Sequence, residues 1–271
     1  MEVEGVEVKY PTENDEVKAY LVKPKREGSF PGVVLIHEIF GLDDHIKDVS
    51  RRLAAEGYVV LAPDLFSSAK FSEVLSSEGI SRTMNFMMSI PVDKQRDETY
   101  RNEQLSKLSE SERNTILGTY TTLFVNRPTD IFTRYLSSAV DFLKEQKEVN
   151  GRIGSAGFCF GGGMSINLGC TGKVDAVVIF YGENPEPIEK VEKVKNAVLG
   201  LYGGEDNRIT FKVPDLVNAL VTYKKSFTVK VYPGAYHAFF NDTRKQTYNE
   251  KAAKDAWKML IAFYNDILKA Q

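Results

Sequence analysis

The sequence predicts an α/β fold with a mainly parallel central sheet flanked by helices. Three observations support this prediction: apolar runs of strand length recur along the chain, amphipathic helical segments alternate with them, and two segments of alternating polarity precede both. Continuous apolar runs are typical of strands buried on both faces, as in parallel sheets. We therefore expect one α/β domain over residues 1–271, with right-handed connections between its parallel strands.

An antiparallel hairpin is predicted at the N-terminus. Apolar and polar residues alternate over Val3–Lys9 and again over Glu16–Val22, which is the pattern of strands with one buried face. The turn-forming residues 11–15 lie between these segments. The apolar runs Val33–Ile36 and Tyr58–Ala62 then predict the first two buried strands.

Later segments repeat the order of helix and strand. Apolar residues at a period of 3.6 favour helices, and short apolar runs favour strands. The predicted helices are Ile46–Ala54, Ile131–Lys147, Val213–Lys224 and Gln246–Lys269, and the predicted strands are Val174–Tyr181, Ala197–Tyr202 and Phe227–Tyr232.

Residues 67–130 interrupt this order. They contain no buried-strand pattern, are rich in serine, methionine and charge, and include the mostly polar helical segment Gln95–Gly118. We interpret them as a helical insertion that forms a lid, because loops after strand ends in open α/β sheets lie beside the ligand crevice. The alternative is a surface excursion with no role in the site.

A nucleophile elbow is predicted at Cys159. Gly157 and Gly161 flank it in the pattern Gly-x-Ser-x-Gly, with cysteine in place of serine. The two flanking residues must be small because they approach the nucleophile and each other on a sharp strand-to-helix turn. The helix that follows favours a thiolate at its N-terminus. The alternative is a buried, inert core thiol.

A histidine base and an acidic partner should follow the nucleophile. Of the three histidines, His37 and His45 precede the elbow, so His237 alone fits the chain order of this type of site. Glu205 and Asp206 both follow a predicted strand between Cys159 and His237. We prefer Asp206, but spacing alone leaves both open, and the alternatives are a structural histidine and an ordinary acidic turn.

The oxyanion hole is predicted from two backbone N–H groups. Phe160 follows the nucleophile, and Ile39 lies in the loop after the Val33–Ile36 strand. Glu38 stands beside Ile39, where a carboxylate could hold the thiol or position a substrate. A structural hydrogen bond to the loop is the equal alternative for Glu38.

Composition and charge narrow the class of protein. The chain has 271 residues, 42% of them hydrophobic, and a net charge of −2 without a charged tail, which argues against a nucleic-acid partner. Its two cysteines, Cys159 and Cys170, exclude a disulfide framework as the source of stability. No signal-peptide pattern and no long apolar run occurs, so we expect a cytoplasmic protein with reduced thiols and no membrane partner.

Five motifs together resemble a known family. They are His37-Glu38-Ile39-Phe40-Gly41-Leu42, Ala62-Pro63-Asp64-Leu65-Phe66, Gly157-Phe158-Cys159-Phe160-Gly161-Gly162, Gly203-Gly204-Glu205-Asp206 and His237-Ala238-Phe239. With these motifs the chain resembles the dienelactone hydrolase (carboxymethylenebutenolidase) family of the α/β-hydrolase superfamily. The cysteine elbow combined with Glu38 at a strand end is the most discriminating pair.

The resemblance implies an α/β-hydrolase fold and a Cys159, Asp206 and His237 triad, so it favours Asp206 over Glu205. It also implies that Glu38 takes part in activating the thiol when substrate binds. The reaction that it implies is hydrolysis of an enol-lactone to an open dicarboxylic acid, through an acyl-enzyme and without a metal or cofactor.

The sequence departs from the family where arginines hold a substrate carboxylate. One arginine is expected soon after the His-x-Phe motif, but residues 240–242 intervene before Arg244. Another is expected in the enlarged region after Asp64, where the arginines that compete are Arg82, Arg96, Arg101, Arg113, Arg127 and Arg134. The candidates for substrate contact are Phe40, Arg82, Arg134, Tyr236 and Phe239.

Three functions are compatible with these features. The first is hydrolysis of lactones or esters by a cysteine nucleophile, as in the family. The second is a broad carboxylesterase or thioesterase whose methionine-rich lid accepts neutral acyl groups. The third is a binding protein with this fold and no catalysis, which a fully buried or disulfide-bonded Cys159 would favour.

Overall fold

The computed structural model describes residues 1–94, 97–195 and 197–269. Its strands belong to one eight-stranded sheet. They are β1 (Val3–Pro11), β2 (Glu16–Pro24), β3 (Phe30–Ile36), β4 (Val59–Pro63), β5 (Val149–Phe158), β6 (Ala176–Phe180), β7 (Ala197–Gly203) and β8 (Ser226–Tyr232). Their order across the sheet is β1-β2-β4-β3-β5-β6-β7-β8.

The sheet is parallel except at its N-terminal edge. β1 pairs antiparallel with β2, and β2 pairs antiparallel with β4, whereas every pair from β4 to β8 is parallel. The register between β3 and β5 places Ile36 opposite Gly157. The predicted fold class, with its N-terminal hairpin and mainly parallel sheet, is confirmed.

Helices cover both faces of the sheet. They are α1 (Asp44–Ala55), α2 (Ser77–Ser89), α3 (Glu98–Ser106), α4 (Glu110–Tyr120), α5 (Thr129–Lys144), α6 (Phe160–Gly169), α7 (Asn207–Thr210), α8 (Val213–Thr222) and α9 (Glu250–Leu268). Side chains determine where several begin. Asp43 accepts a hydrogen bond from the Ile46 N–H at the start of α1, and Asn249 accepts one from Ala252, so α9 begins later than the predicted Gln246.

Alternate residues of β3 enter different apolar cores. Val34 and Ile36 belong to the core under α5, α6 and α8, whereas Val33 and Leu35 belong to the core under α1 and α9. All four side chains are fully buried. Burial on both faces explains why this strand is a continuous apolar run instead of an alternating one.

The insertion between β4 and α5 is helical, as predicted, but it is segmented. The polar segment predicted as one helix over Gln95–Gly118 forms α3 and α4, and Gln95 lies outside the described residues. The break occurs because Ser109 and Glu112 form a reciprocal capping box that starts a new helix. A single π-helical turn, Thr121–Val125, follows α4. Within the described residues, no helix is both long and apolar enough to cross a membrane.

Candidate active site

The carboxyl ends of the parallel strands converge on one cavity of about 560 Å³. Of the six parallel strands described above, five are each followed by one polar side chain near it: Glu38 after β3, Cys159 after β5, Tyr181 after β6, Asp206 after β7 and His237 after β8. All of these except Asp206 line the cavity directly. Parallel strands end at the same edge of a sheet, so residues distant in sequence become neighbours there.

Cys159 sits on a strained turn between β5 and α6. Its φ is 55° and its ψ is −116°, and its side chain is partly exposed. A Cβ on Gly157 would lie 1.9 Å from the Gly161 oxygen, and a Cβ on Gly161 would lie 2.3 Å from the Ile36 oxygen. Neither position could hold a larger residue without moving backbone, which is the geometry that an elbow demands.

His237 is bound to Asp206 and not to Glu205. The His237 Nδ1–H donates to Asp206 Oδ2 over 2.5 Å, and Asp206 is buried. Glu205 instead accepts the N–H of Gly234 in the loop before the histidine. This bond fixes the tautomer of His237, so that its Nε2 faces away from Asp206.

The surroundings of His237 favour its charged form. Burial lowers the pKa of the ring, but the interaction with Cys159 and the hydrogen bond to Asp206 outweigh it and raise the pKa to about 10. His237 therefore holds its proton through neutral pH. A protonated imidazole beside a cysteine sulfur is the arrangement that stabilises a thiolate nucleophile.

The two backbone N–H groups that the sequence predicts as an oxyanion hole belong to residues at the cavity. Phe160 is the first residue of α6, where a helix leaves its N–H groups without intrahelical partners. Ile39 follows Glu38 in the loop after β3, and both Ile39 and Phe160 line the cavity. Among the residues that the structure describes, neither N–H donates to another protein group.

Glu38 is buried and bound by three side chains. Asn241 Nδ2–H donates to its Oε2 over 2.8 Å, the Tyr181 hydroxyl donates to its Oε1 over 3.4 Å, and Arg244 Nε lies 3.9 Å from Oε2. A buried carboxylate needs such partners, because an unpaired one would be strongly disfavoured. The arrangement places a fixed negative charge in the cavity wall beside Ile39.

Tyr181 and Arg244 are site residues that the sequence analysis did not identify as such. Tyr181 has a φ of 40°, and its ring lies edge-on to His237 at 5.1 Å. Arg244 stacks over Phe40 at 4.0 Å and lines the cavity. The signal for Tyr181 was its place at the end of a buried strand before Gly182. Two successive turns lead from Ala238 to Arg244, since the Asn241 N–H donates to the Ala238 carbonyl and the Arg244 N–H donates to the Asn241 carbonyl.

Of the residues predicted to contact the substrate, one lines the cavity and the others lie elsewhere. Phe40 lines the cavity, whereas Arg82 pairs with Glu78 and Glu112 on the insertion surface. Arg134 lies near Glu13, beside a different cavity. The other two candidates also lie elsewhere: Tyr236 is mostly exposed, and Phe239 is buried against Tyr181 and Tyr232. Arg96 lies outside the described residues.

Two further arginines line the cavity. Arg127, at the end of the insertion, and Arg208, in α7, both pair with Glu183 in the loop after β6. The insertion also contributes Met84, Phe124 and Val125 to the cavity wall. It therefore covers part of the site and does not project into solvent as a separate surface segment.

The remaining histidines and the second cysteine have structural surroundings. The His37 Nδ1–H donates to the Glu38 carbonyl, its Nε2 accepts the Leu65 N–H, and burial lowers its pKa. His45 is buried against Phe158 and Phe240. Burial raises the pKa of the Cys170 thiol to about 12. Among the described residues, no group of three or more His, Cys, Asp or Glu side chains is placed to hold a metal ion.

Comparison with known proteins shows the family of this chain. The family model described as the dienelactone hydrolase family matches residues 17–268. A Saccharolobus solfataricus protein named "Putative carboxymethylenebutenolidase" is 38% identical over 263 residues, which cover 97% of this chain and 99% of that protein.

Solved structures show the same fold. The "Putative Dienelactone Hydrolase" of Klebsiella pneumoniae subsp. pneumoniae matches with a TM-score of 0.74 at 24% identity, covering 97% of this chain and 99% of that one. A dienelactone hydrolase-like promiscuous phosphotriesterase, P91, from metagenomic libraries matches with a TM-score of 0.73 at 23% identity, covering 98% of both chains. At these identities the likeness is one of fold.

Proposed function

Since this chain belongs to the dienelactone hydrolase family and is a hydrolase, we propose that it cleaves esters or lactones through a thioester on Cys159. The observation that carries this proposal is the short His237–Asp206 hydrogen bond beside a cysteine on a strained elbow. Each group has a distinct role in acyl transfer: a nucleophile, a base that also acts as an acid, and a carboxylate that orients the base.

The first half of the reaction forms the acyl-enzyme. The Cys159 thiolate attacks the carbonyl carbon, and the carbonyl oxygen gains negative charge, which the Ile39 and Phe160 N–H groups stabilise. One such donor is worth about 3–4 kcal/mol in the transition state. The carbon–oxygen bond then breaks, and the protonated His237 gives its proton to the leaving alkoxide. In a lactone, the leaving group stays attached to the acyl chain.

The second half releases the acid. His237, now neutral, takes a proton from a water molecule that attacks the thioester carbonyl. The carbon–sulfur bond breaks, the thiolate of Cys159 returns, and His237 is again protonated. Asp206 stabilises the imidazolium at both ends of the cycle without taking its proton.

Glu38 and Arg244 supply a means to recognise an anionic substrate. Arg244 stacks on Phe40 in the cavity wall and lies at ion-pair distance from Glu38. We propose that a substrate carboxylate binds Arg244 and weakens this pair. Glu38 would then act on the thiol side of the cavity, which is the activating role expected from the family resemblance.

The test is hydrolysis of p-nitrophenyl acetate and of a dienelactone by the wild type and by Cys159→Ala. We expect turnover of both substrates by the wild type, and a loss of at least about 10³-fold in the variant. Turnover of the acetate alone would favour the second candidate, an esterase for neutral acyl groups. The observation that supports this candidate is the apolar part of the cavity wall, formed by Met84, Phe124 and Val125.

The control is the cooperative urea unfolding of Cys159→Ala, which should resemble that of the wild type. If neither substrate is hydrolysed in a Cys159-dependent manner while the variant folds normally, the hydrolytic role of this cysteine is wrong. A binding function of the same cavity would then be the better explanation.

A further inference from the structure

Glu183 joins two arginines from different parts of the chain. Its Oε2 accepts from Arg127 Nη1 over 2.8 Å, and its Oε1 accepts from Arg208 Nη1 over 2.7 Å. Arg127 ends the insertion, Glu183 follows β6, and Arg208 lies two residues after Asp206. This Arg127–Glu183–Arg208 bridge therefore ties the insertion to two loops of the sheet edge.

Arg127 also holds the insertion's contribution to the cavity wall. Its Nε–H donates to the Leu123 carbonyl over 2.9 Å, inside the π-helical turn that presents Phe124 and Val125 to the cavity. Its guanidinium lies 5.6 Å from the Phe160 ring centre, beside the proposed oxyanion donor. The position of this wall thus depends on where Glu183 holds Arg127.

A second cavity lies on the other side of the bridge. It has a volume of about 500 Å³ and shares five lining residues with the site cavity: Arg127, Thr129, Gly163, Glu183 and Glu186. Its remaining walls include the polar side chains of Asn167 and Asn184, and the charges of Lys190 and Asp130 there offset each other as an ion pair. The Arg127–Glu183 ion pair therefore stands on the boundary between the two cavities.

We propose that the Arg127–Glu183–Arg208 bridge determines the length of acyl group that the site accepts. This role rests on the proposed ester hydrolysis. The closed bridge forms the far wall of the site cavity, so that the cavity favours short acyl groups. When it opens, the second cavity becomes an extension that suits an uncharged polar chain, whose amide or hydroxyl groups match its asparagines.

Charge is what keeps the bridge closed. The side chains of Arg127 and Glu183 are only 25% and 34% exposed, so solvent screens their attraction less than it screens a surface pair. Arg127 and Arg208 lower the pKa of Glu183 against the effect of its burial, so the carboxylate stays ionised. Glu183→Gln keeps the size of the side chain and removes this charge.

The test compares p-nitrophenyl acetate with the p-nitrophenyl ester of 6-acetamidohexanoic acid, a longer chain with a neutral polar end. We expect Glu183→Gln to raise the ratio of kcat/KM for the long ester to that for the acetate by about tenfold. Glu78→Gln is the matched control, since it breaks the exposed pair with Arg82 in the same insertion. Its ratio should equal that of the wild type.

A general loss of folded enzyme would lower both activities and leave their ratio unchanged. The inference is therefore overturned if the ratio in Glu183→Gln equals that in Glu78→Gln. An increase of equal size in both variants would also overturn it, because the effect would then belong to the insertion and not to the bridge.

Alkylation of Cys159 tests the bridge without turnover. The short probe is iodoacetamide, and the long probe is an iodoacetamide whose nitrogen carries a 5-acetamidopentyl chain. Labelling of the same proteins with Cys159→Ala added is subtracted, because it measures alkylation at other residues. We expect Glu183→Gln to accelerate the long probe relative to the short one by a similar factor. If ester hydrolysis proves independent of Cys159, the proposed function fails. If the ratio of the two alkylation rates is unchanged in Glu183→Gln, only the proposed role of the bridge fails.

Discussion

The two walls of the cavity are built in different ways. On the sheet side, Glu38, Asp206 and Tyr181 are buried, and each is held by side-chain hydrogen bonds. On the insertion side, Phe124 and Val125 are 42% and 60% exposed, and their turn is held by the buried Leu123 side chain and by the ion-pair bridge of Arg127 and Glu183.

This difference separates chemistry from selectivity. Acyl transfer needs its groups within a few tenths of an ångström of the reacting atoms, and a packed sheet edge supplies that precision. A wall with few buried contacts moves at a lower cost in free energy. We therefore expect changes on the sheet side to reduce turnover and changes on the insertion side to alter which substrates are accepted.

The sharpest test of the sheet side is Asp206→Asn, with Glu205→Gln as its matched control. Asparagine keeps the shape of the side chain but has no negative charge to stabilise the protonated His237 ring, so we expect kcat to fall by about 10⁴-fold. Glu205 bonds only to the loop backbone at Gly234, and its variant should remain within about threefold of the wild type. Equal losses in both variants would contradict the assignment of Asp206.

Stability provides an independent readout of the same pair. A histidine whose pKa is raised from 6.5 to about 10 on folding adds stability that is fully present below pH 6.5 and is lost as the pH rises through 10. Asp206→Asn lowers the folded pKa of His237. The difference in unfolding free energy between wild type and variant should therefore shrink between pH 6.5 and 10, as measured in urea. A difference that grows with pH would contradict this coupling.

A smaller loss is expected for Glu38→Gln. The oxygen of glutamine can still accept from the Asn241 amide, and its NH2 group can donate to the Tyr181 hydroxyl, so the loop should stay in place while the charge is removed. We expect kcat to fall by about 10²-fold with a smaller change in KM. Steady-state kinetics on a dienelactone provide the measurement, because only a substrate with a carboxylate would release Glu38 from Arg244. Unchanged turnover would leave Glu38 with a purely structural role.

The smallest effect separates two arginines that the sequence alone could not rank. Arg244→Met should raise KM for an anionic dienelactone by about tenfold and leave KM for p-nitrophenyl acetate unchanged, because only the lactone has a carboxylate to lose its partner. Arg82→Met should change neither value, since Arg82 pairs on the surface of the insertion. A larger effect of Arg82→Met on the lactone would mean that the insertion closes further onto the substrate.

Local patterns predicted much of this molecule. Apolar runs identified the buried strands because both faces of the sheet are covered, and the two glycines around Cys159 identified the elbow because no Cβ fits there. Chain order placed Asp206 and His237 at strand ends, and the structure joins them by a hydrogen bond. Their catalytic roles stay predictions.

Such patterns did not predict which side chains from distant segments of the chain contact each other. Arg244 lies farther along the chain from the His-x-Phe motif than the family pattern predicts, but two successive turns after Ala238 bring it beside Glu38. The bridge of Arg127, Glu183 and Arg208 joins three separate segments, and no spacing in the sequence relates them. Arg82 and Arg134 were equally plausible by position, and only the packing of the insertion places them outside the cavity.

The sequence by itself therefore determined the fold class, the strand order along the chain and the strained cysteine turn. Each of these depends on interactions within a segment or on whether a face is buried, and both leave periodic or glycine patterns in the sequence. The tertiary structure alone decided which charged side chains meet in the cavity. Ion pairs between distant segments leave no periodic pattern, because their geometry depends on how loops turn and how the insertion packs.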